Sequence, residues 1–375
     1  MRFKRGLALA AAGAATIGGA GLMASTAALA SPRPGGPFIG RFHHTSLVGS
    51  TVPANGDLNP YGIAVVPQSQ GRLHQGDILI SNFNGSKNLQ GTGSTIVEMS
   101  PGGKQTLFAH ITGSALPGRC PGGIGLTTAL VVVHGWVIVG NLPSGNGMAD
   151  TASGGCLLVL DSNGTVRKIF RGHGIRGPWD ATAVSRGNLA ALFVTNVLNG
   201  TAAAKGAVVY RGTVLRLGLW FGPGQPPVIK SVTKIGSGFA EASNQTAFVL
   251  GPTGVGLGPN GALYVADTDT SQVTWIPDAL FRTTSAGLGS QLTSGGWLNM
   301  PLGLAVAPNG DVLTVNGGNG RIVETSPTGT QLASRFLDRS GSPPGAGALF
   351  GLAVAPYGAG VYYVDDAANT LRLLH

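Results

Sequence analysis

One pattern recurs six times in this 375-residue chain. It consists of an apolar segment led by glycine, a tight turn, and a second apolar segment that ends in Asn or Asp. The clearest copies are residues 300–316 and 349–365. Because self-similarity at a roughly fixed period marks a repeat architecture, this pattern constrains the fold more than any other feature.

Aligning the copies produces a column that holds Gly in five of them and Asp in the third. Its members are Gly62, Gly125, Asp180, Gly254, Gly303 and Gly351. The last three copies follow one another at about 50 residues, which is the length of a propeller blade. The earlier copies are longer, so we expect insertions in their loops.

Four short apolar segments separated by turn residues occupy each copy. In the first copy they are residues 60–65, 77–82, 95–99 and 106–110. Four short strands per repeat are typical of a propeller blade. The sequence therefore predicts an all-β, six-bladed β-propeller that forms a single domain.

Closure of the ring can also be predicted. The sixth copy ends with its third segment, residues 371–375, whereas residues 41–48 look like an outer strand without an inner partner. We expect this N-terminal strand to complete the last blade as its outer strand, so that no open sheet edge remains.

Residues 254–267 and 301–316 resemble NHL repeats, which favour a Pro-x-Gly start and a Tyr-Val-Ala-Asp type of second strand. The resemblance covers roughly residues 38–375 and is weaker in the second and third copies. It implies a six-bladed propeller. Members of this family include protein-binding modules, amidating lyases and relatives of gluconolactonase and strictosidine synthase, so the resemblance assigns no reaction.

Residues 1–30 have the pattern of a signal peptide: a basic start, an uncharged apolar stretch over 6–29, and a small-x-small box at Ala28–Ala30. We expect cleavage after Ala30, which leaves one mature propeller domain, residues 31–375, outside the cytoplasm. An uncleaved membrane anchor is the alternative, since the stretch is long enough to cross a bilayer. After cleavage we expect no membrane span.

The charge pattern argues against nucleic acid as a partner. The formal net charge of +9 falls to +6 when Arg2, Lys4 and Arg5 are removed with residues 1–30. The remaining basic residues are scattered, whereas a nucleic-acid surface clusters them on one element.

Cys120 and Cys156 are the two cysteines of the chain. In an exported protein an even number of cysteines favours a disulfide. This bridge would join the loop before the second blade to the third strand of that blade.

The residue before the glycine column is expected at the mouth of the central channel. These residues are Tyr61, Ile124, Trp179, Thr253, Leu302 and Phe350. Two interpretations remain open: the bulky members pack against one another and plug the axis, or they form a platform for an apolar ligand or partner.

A polar column follows at the end of each second strand: Asn82, Asn141, Asn196, Asp267, Asn316 and Asp365. Since Asn and Asp at strand ends commonly hydrogen-bond the local backbone, we interpret this column as structural. Asp180 differs because it replaces Gly. It could pair with Arg176, coordinate a cation or act as a general base.

Our leading functional hypothesis is an exported NHL-type scaffold that binds an unknown protein, glycan or small molecule. The binding residues would be Tyr61, Trp179, Asp180 and Phe350, extended by Gly/Ser/Asn-rich, mobile loops at 83–94, 142–155 and 197–206. This hypothesis needs no cofactor and favours a non-enzymatic role.

The alternative is a cation-dependent hydrolase or lyase, with a divalent cation such as calcium near Asp180, Asp267 and Asp365. Residues 31–56 contain no acid to match the N-terminal metal-binding Glu of gluconolactonase relatives. His74, His110, His134 and His173 fall in turns or outer positions, where we expect surface side chains rather than ligands.

Overall fold

Six antiparallel sheets, one for each copy of the repeat, surround a common axis in the computed structural model. The structure describes residues 36–152, 154–244 and 248–375, and the ring belongs to a single unit, Gly36–His375. The prediction of an all-β, six-bladed propeller is confirmed. The expected signal peptide and its cleavage after Ala30 lie outside the described residues.

The first three blades follow the N-terminal strand β1 (Thr45–Ser50). Blade 1 contains β2 (Leu58–Val65), β3 (Ile78–Asn84), β4 (Thr95–Met99) and β5 (Gln105–His110). Blade 2 contains β6 (Leu126–Val133), β7 (Trp136–Asn141), β8 (Cys156–Leu160) and β9 (Val166–Phe170). Blade 3 contains β10 (Gly177–Arg186), β11 (Leu189–Val197), β12 (Val209–Trp220), β13 (Val228–Asn244) and the short β14 (Phe248–Leu250).

The other three blades are more regular. Blade 4 contains β15 (Pro252–Leu257), β16 (Leu263–Asp267), β17 (Gln272–Ile276) and β18 (Ser290–Ser294). Blade 5 contains β19 (Pro301–Val306), β20 (Val312–Asn316), β21 (Arg321–Thr325) and β22 (Gln331–Phe336). Blade 6 contains β23 (Leu349–Val354), β24 (Val361–Asp365) and β25 (Thr370–Leu374).

Helical structure in the described residues is confined to short turns. There is one α-helix, Thr201–Ala204, and the 3₁₀ turns are Phe38–Arg41, Gly113–Ala115, Ala149–Thr151 and Pro356–Gly358. Among these residues no helix is long and apolar enough to cross a membrane.

The innermost strands are rich in glycine because neighbouring blades meet closely at the axis. A Cβ atom on Gly303 would collide with the carbonyl oxygen of Phe350, and one on Gly351 with that of Tyr61. These glycines therefore let the backbones of adjacent inner strands touch.

The alignment of the second copy was wrong by a few residues. Leu126 pairs with Asn141, just as Pro60 pairs with Asn82 in blade 1. A register shift between Leu126 and Leu130 follows, and Gly125 lies ahead of the strand. Blade 2 thus has no glycine in the column, and Ile124 does not belong to the channel mouth.

Ring closure is confirmed. Strand β1 pairs antiparallel with β25, and Thr45 lies opposite Leu374. The strand starts four residues later than the expected segment 41–48, because residues 38–41 form a separate 3₁₀ turn. The backbone N–H groups of Phe38 and Ile39 donate to the Glu324 carboxylate of blade 5, at 2.5 and 2.8 Å.

The Cys120–Cys156 disulfide is also confirmed, with the two Cα atoms 6.0 Å apart. It joins the loop before blade 2 to the first residue of β8, the third strand of that blade. A structural disulfide is consistent with an extracytoplasmic protein.

Candidate functional site

Aromatic side chains close one end of the channel. Tyr61 stacks on Phe350 with ring centroids 4.0 Å apart and on Phe83 at 4.6 Å, and the Trp179 ring lies 6.0 Å away. All four are at most 7% exposed and belong to one apolar cluster, which also contains Leu302. We call Tyr61, Phe83, Trp179 and Phe350 the aromatic plug. Tyr61 contacts both Trp179 and Phe350, and all three side chains are buried from solvent, so the geometry favours the plug over the exposed platform.

Inserted loops pack over the plug. Leu142 and Ala149 from the 142–155 insertion are buried in the same cluster. The Ser144 N–H donates to the Gly91 carbonyl of the 83–94 insertion at 2.9 Å. These two loops were expected to be mobile recognition segments, but they are packed against each other and against the core.

The channel is open at its other end. A cavity of about 340 Å³ runs along the inner strands. It starts at Asp180, Gly303 and Gly351, next to the plug, and extends to Ala183 and Val306, which are half-buried. We call this blind cavity the axial pit.

Asp180 lies at the inner end of the axial pit. Its Oδ1 accepts a hydrogen bond from the Ala181 N–H at 2.8 Å, and its Oδ2 accepts one from the Val255 N–H at 3.1 Å. Pairing with Arg176, one of the three alternatives for Asp180, is not formed, and the ion pairs of the described residues do not include Asp180. Burial raises the pKa of this carboxyl to about 8, against the smaller opposing effect of the two N–H donors.

The second strand of blade 3 also supports Asp180. The Thr195 hydroxyl accepts from the Asp180 N–H at 3.0 Å and donates to the Thr253 carbonyl of blade 4 at 2.7 Å. Ser81 plays the same part in blade 1, where its hydroxyl donates to the Thr127 carbonyl of blade 2. Sequence reasoning missed these hydroxyls, although Ser and Thr inside an apolar strand are a usable signal.

Side chains of the polar column form hydrogen bonds with nearby backbone groups. Asn196 accepts hydrogen bonds from the Arg176 and Gly177 N–H groups through its Oδ1. Asn141 accepts one from Gly125 in the same way. These bonds fix the segments that lead into the inner strands, in agreement with the structural interpretation.

The three carboxylates proposed for a cation are not brought together. Asp180 lies on the inner strand of blade 3, whereas Asp267 and Asp365 end the second strands of blades 4 and 6. Burial raises the pKa of Asp267 to about 6 and also raises the pKa of Asp365. A calcium-type ion needs several converging oxygen ligands, so these residues do not fit a cation in the pit.

Another group in blade 1 has the geometry of a metal site. Within residues 36–152, 154–244 and 248–375, one trio of His and carboxylate side chains places its ligand atoms within 4.8 Å of one another: His74, Asp77 and Glu98. A divalent cation is therefore plausible for this protein, at a position away from the channel.

Solved structures resemble this chain over most of its length. The gluconolactonase of Xanthomonas campestris superposes with a TM-score of 0.52 at 13% sequence identity, over 86% of this chain and 87% of its own. The calcium-binding protein regucalcin of Agrobacterium tumefaciens gives 0.54 at 14% identity, over 89% and 93%. A catalytically inactive virginiamycin B lyase from Staphylococcus aureus, solved with quinupristin, gives 0.50 at 14%, over 88% and 83%.

These likenesses establish a six-bladed propeller fold shared with enzymes and a calcium-binding protein. At such low identity they carry no assignment of activity. The chain matches no protein-family model and none of the curated protein sequences.

Proposed function

We propose that this chain is an exported, NHL-type propeller that binds a small polar molecule in the axial pit. One observation carries the proposal: a buried acid without a cationic partner stands at the closed end of a cavity that opens to solvent. With its pKa near 8, Asp180 is mostly protonated at neutral pH. Its O–H can then donate to a carbonyl or hydroxyl oxygen of a ligand.

The size of the pit supports a small ligand. Its volume of about 340 Å³ is at the lower end of the range for small-molecule sites, roughly 300–1,000 Å³. A sugar lactone or a molecule of similar size fits this space. The disulfide and the signal-like residues 1–30 support the extracytoplasmic location.

Calorimetric titration with gluconolactone, gluconate and glucose tests the proposal. Ala305 is half-buried, lines the pit and packs against the core of blades 5 and 6, so Ala305→Phe should narrow the pit and weaken binding of the best probe at least tenfold in protein whose thermal unfolding is unchanged. Ala367 lies exposed in the turn after β24, so Ala367→Phe is the matched control and should bind like the unmodified protein. Equal affinities in both variants would rule out the pit as the site.

A hydrolase or lyase is the second candidate. It is supported by the raised pKa of Asp180, which suits a general acid or base near neutral pH, and by the enzymes among the structural neighbours. Asp180 is the one carboxylate among the described residues that line the pit, so this candidate depends on acid–base chemistry by Asp180. Lactone hydrolysis followed by pH-stat should then fall about 100-fold or more in Asp180→Asn. Binding without turnover would leave the first proposal standing and remove this one.

A further inference from the structure

Three potential metal ligands meet where the β2–β3 connection crosses the third strand of blade 1. His74 Nδ1 lies 3.4 Å from Glu98 Oε2 and 4.0 Å from Asp77 Oδ2. All three ligand atoms lie within 4.8 Å of one another. One ion can therefore contact all three after small side-chain adjustments.

The backbone that carries His74 is held in place by its neighbours. Leu73 is 1% exposed, and the Arg72 N–H donates to the Ser162 carbonyl of blade 2 at 2.9 Å. The Arg72 side chain donates to the Phe108 carbonyl at 3.1 Å. The His74 position is thus built before any ion binds, which lowers the cost of ordering the site.

The Glu98 carboxylate is also oriented. Its Oε1 accepts a hydrogen bond from the His74 N–H at 2.8 Å. This bond leaves Oε2 directed toward the imidazole, at a distance too long for a strong hydrogen bond. Glu98 is 2% exposed, so an oxygen with so weak a partner is costly to bury.

Blade 5 contains the same pair of acids with a different neighbour. Glu324 faces Leu313 as Glu98 faces Leu79, and an Asp precedes the second strand in both blades. In blade 5, both oxygens of Glu324 accept backbone N–H groups. In blade 1, one of these donors is replaced by the His74 imidazole, which belongs to the β2–β3 connection.

We propose that His74, Asp77 and Glu98 bind a borderline divalent transition metal, of which Zn²⁺ is the representative. One imidazole nitrogen with two carboxylates is a ligand set that Zn²⁺ accepts, whereas Ca²⁺ prefers six to eight oxygens. The His74 side chain is 68% exposed, so an ion enters from solvent and keeps water on its open positions. The positive ion also offsets the repulsion between the two carboxylates.

The test is calorimetric titration of the chelator-treated, tag-free propeller with Zn²⁺ and, separately, with Ca²⁺. Co²⁺ absorption spectra report the ligand geometry as a second readout. We expect one Zn²⁺ per chain and affinity at least tenfold weaker in His74→Ala and in Glu98→Gln. His110→Ala is the matched control, because His110 is an exposed histidine of the same blade outside the trio.

Each outcome decides the matter. Unchanged Zn²⁺ affinity in His74→Ala, or an equal loss in His110→Ala, overturns the site. Ca²⁺ binding as tight as Zn²⁺ binding overturns the assigned metal class. If Glu98→Gln fails to fold, His74→Ala still carries the test, since it removes an exposed side chain and leaves the backbone bond to Glu98.

Discussion

The Asp180 carboxylate of blade 3 accepts a hydrogen bond from the Val255 backbone N–H of blade 4, with Oδ2 and N 3.1 Å apart. In blades 4, 5 and 6 the equivalent position is a glycine pressed against the next inner strand. At the seam between blades 3 and 4 the acid fills this space instead. A carboxyl group thus links two blades at the axis and faces the pit.

The raised pKa of Asp180 predicts that the stability of the fold falls as the pH rises. Its pKa is about 8 in the folded protein and near 3.8 when exposed, so between these values the folded chain holds more protons than the unfolded one. The free energy of unfolding should therefore decrease between pH 4 and pH 8 and level off above, with a contribution of about 4 kcal/mol from pH 5 to pH 8.

Urea unfolding at pH 5, 6.5 and 8 measures this slope. Asp180→Asn should make it shallower, although the mutant loses one hydrogen bond at every pH. A substantial slope should persist, because burial also raises the pKa of Glu241, Glu324 and Asp366 to about 7. A mutant slope equal to that of the unmodified chain would contradict the assignment.

The aromatic plug should make a large contribution to stability. Tyr61 is 3% exposed between two rings, so Tyr61→Ala leaves a cavity and should cost about 3–5 kcal/mol. Tyr357, which is fully exposed, supplies the control: thermal unfolding of Tyr357→Ala should match the unmodified protein. Similar melting temperatures for both variants would show that the rings do not pack as described.

The Glu324 carboxylate anchors the N-terminal 3₁₀ turn through two backbone N–H groups. Glu324→Gln places an amide NH₂ against one of the Phe38 and Ile39 N–H donors and should cost about 1–3 kcal/mol locally. Hydrogen exchange in a peptide covering residues 36–44 should then speed up about tenfold. Glu98→Gln, the same strand position in blade 1, should leave exchange in that peptide unchanged.

The Cys120–Cys156 bridge closes a loop with a sequence separation of 36 residues. In the chain-entropy description, reduction should lower the free energy of unfolding by about 3–4 kcal/mol. Denaturant unfolding with and without a reductant measures this decrease in the free energy of unfolding. Cys120→Ser/Cys156→Ser should then be insensitive to the reductant, and a reductant effect on that variant would point to another cause.

Local patterns were sufficient to predict the blades, the closing strand and the disulfide. Each depends on apolar segments and turns that repeat along the chain. The register of blade 2 could not be predicted, because an irregularity between Leu126 and Leu130 moves the strand away from its glycines.

Contacts between distant parts of the chain could not be predicted from the sequence. The bond from Phe38 to Glu324, which anchors the N-terminal turn, joins residues 286 positions apart, and no local pattern reports such a contact. His74 likewise meets Glu98 through the path of a loop. Asp180 could be found since it departs from a repeated column, but whether it faced a ligand or a neighbouring blade required the structure.

The pairing of Thr45 with Leu374 has a mechanical consequence. Because β1 and β25 run antiparallel and Thr45 pairs with Leu374, the chain enters β1 and leaves β25 at the same end of the strand pair. Tension applied through segments attached at these two points would peel the strands apart one hydrogen bond at a time, rather than slide them past each other. The 3₁₀ turn anchored on Glu324 lies ahead of β1, so it would bear such a load before the ring opens.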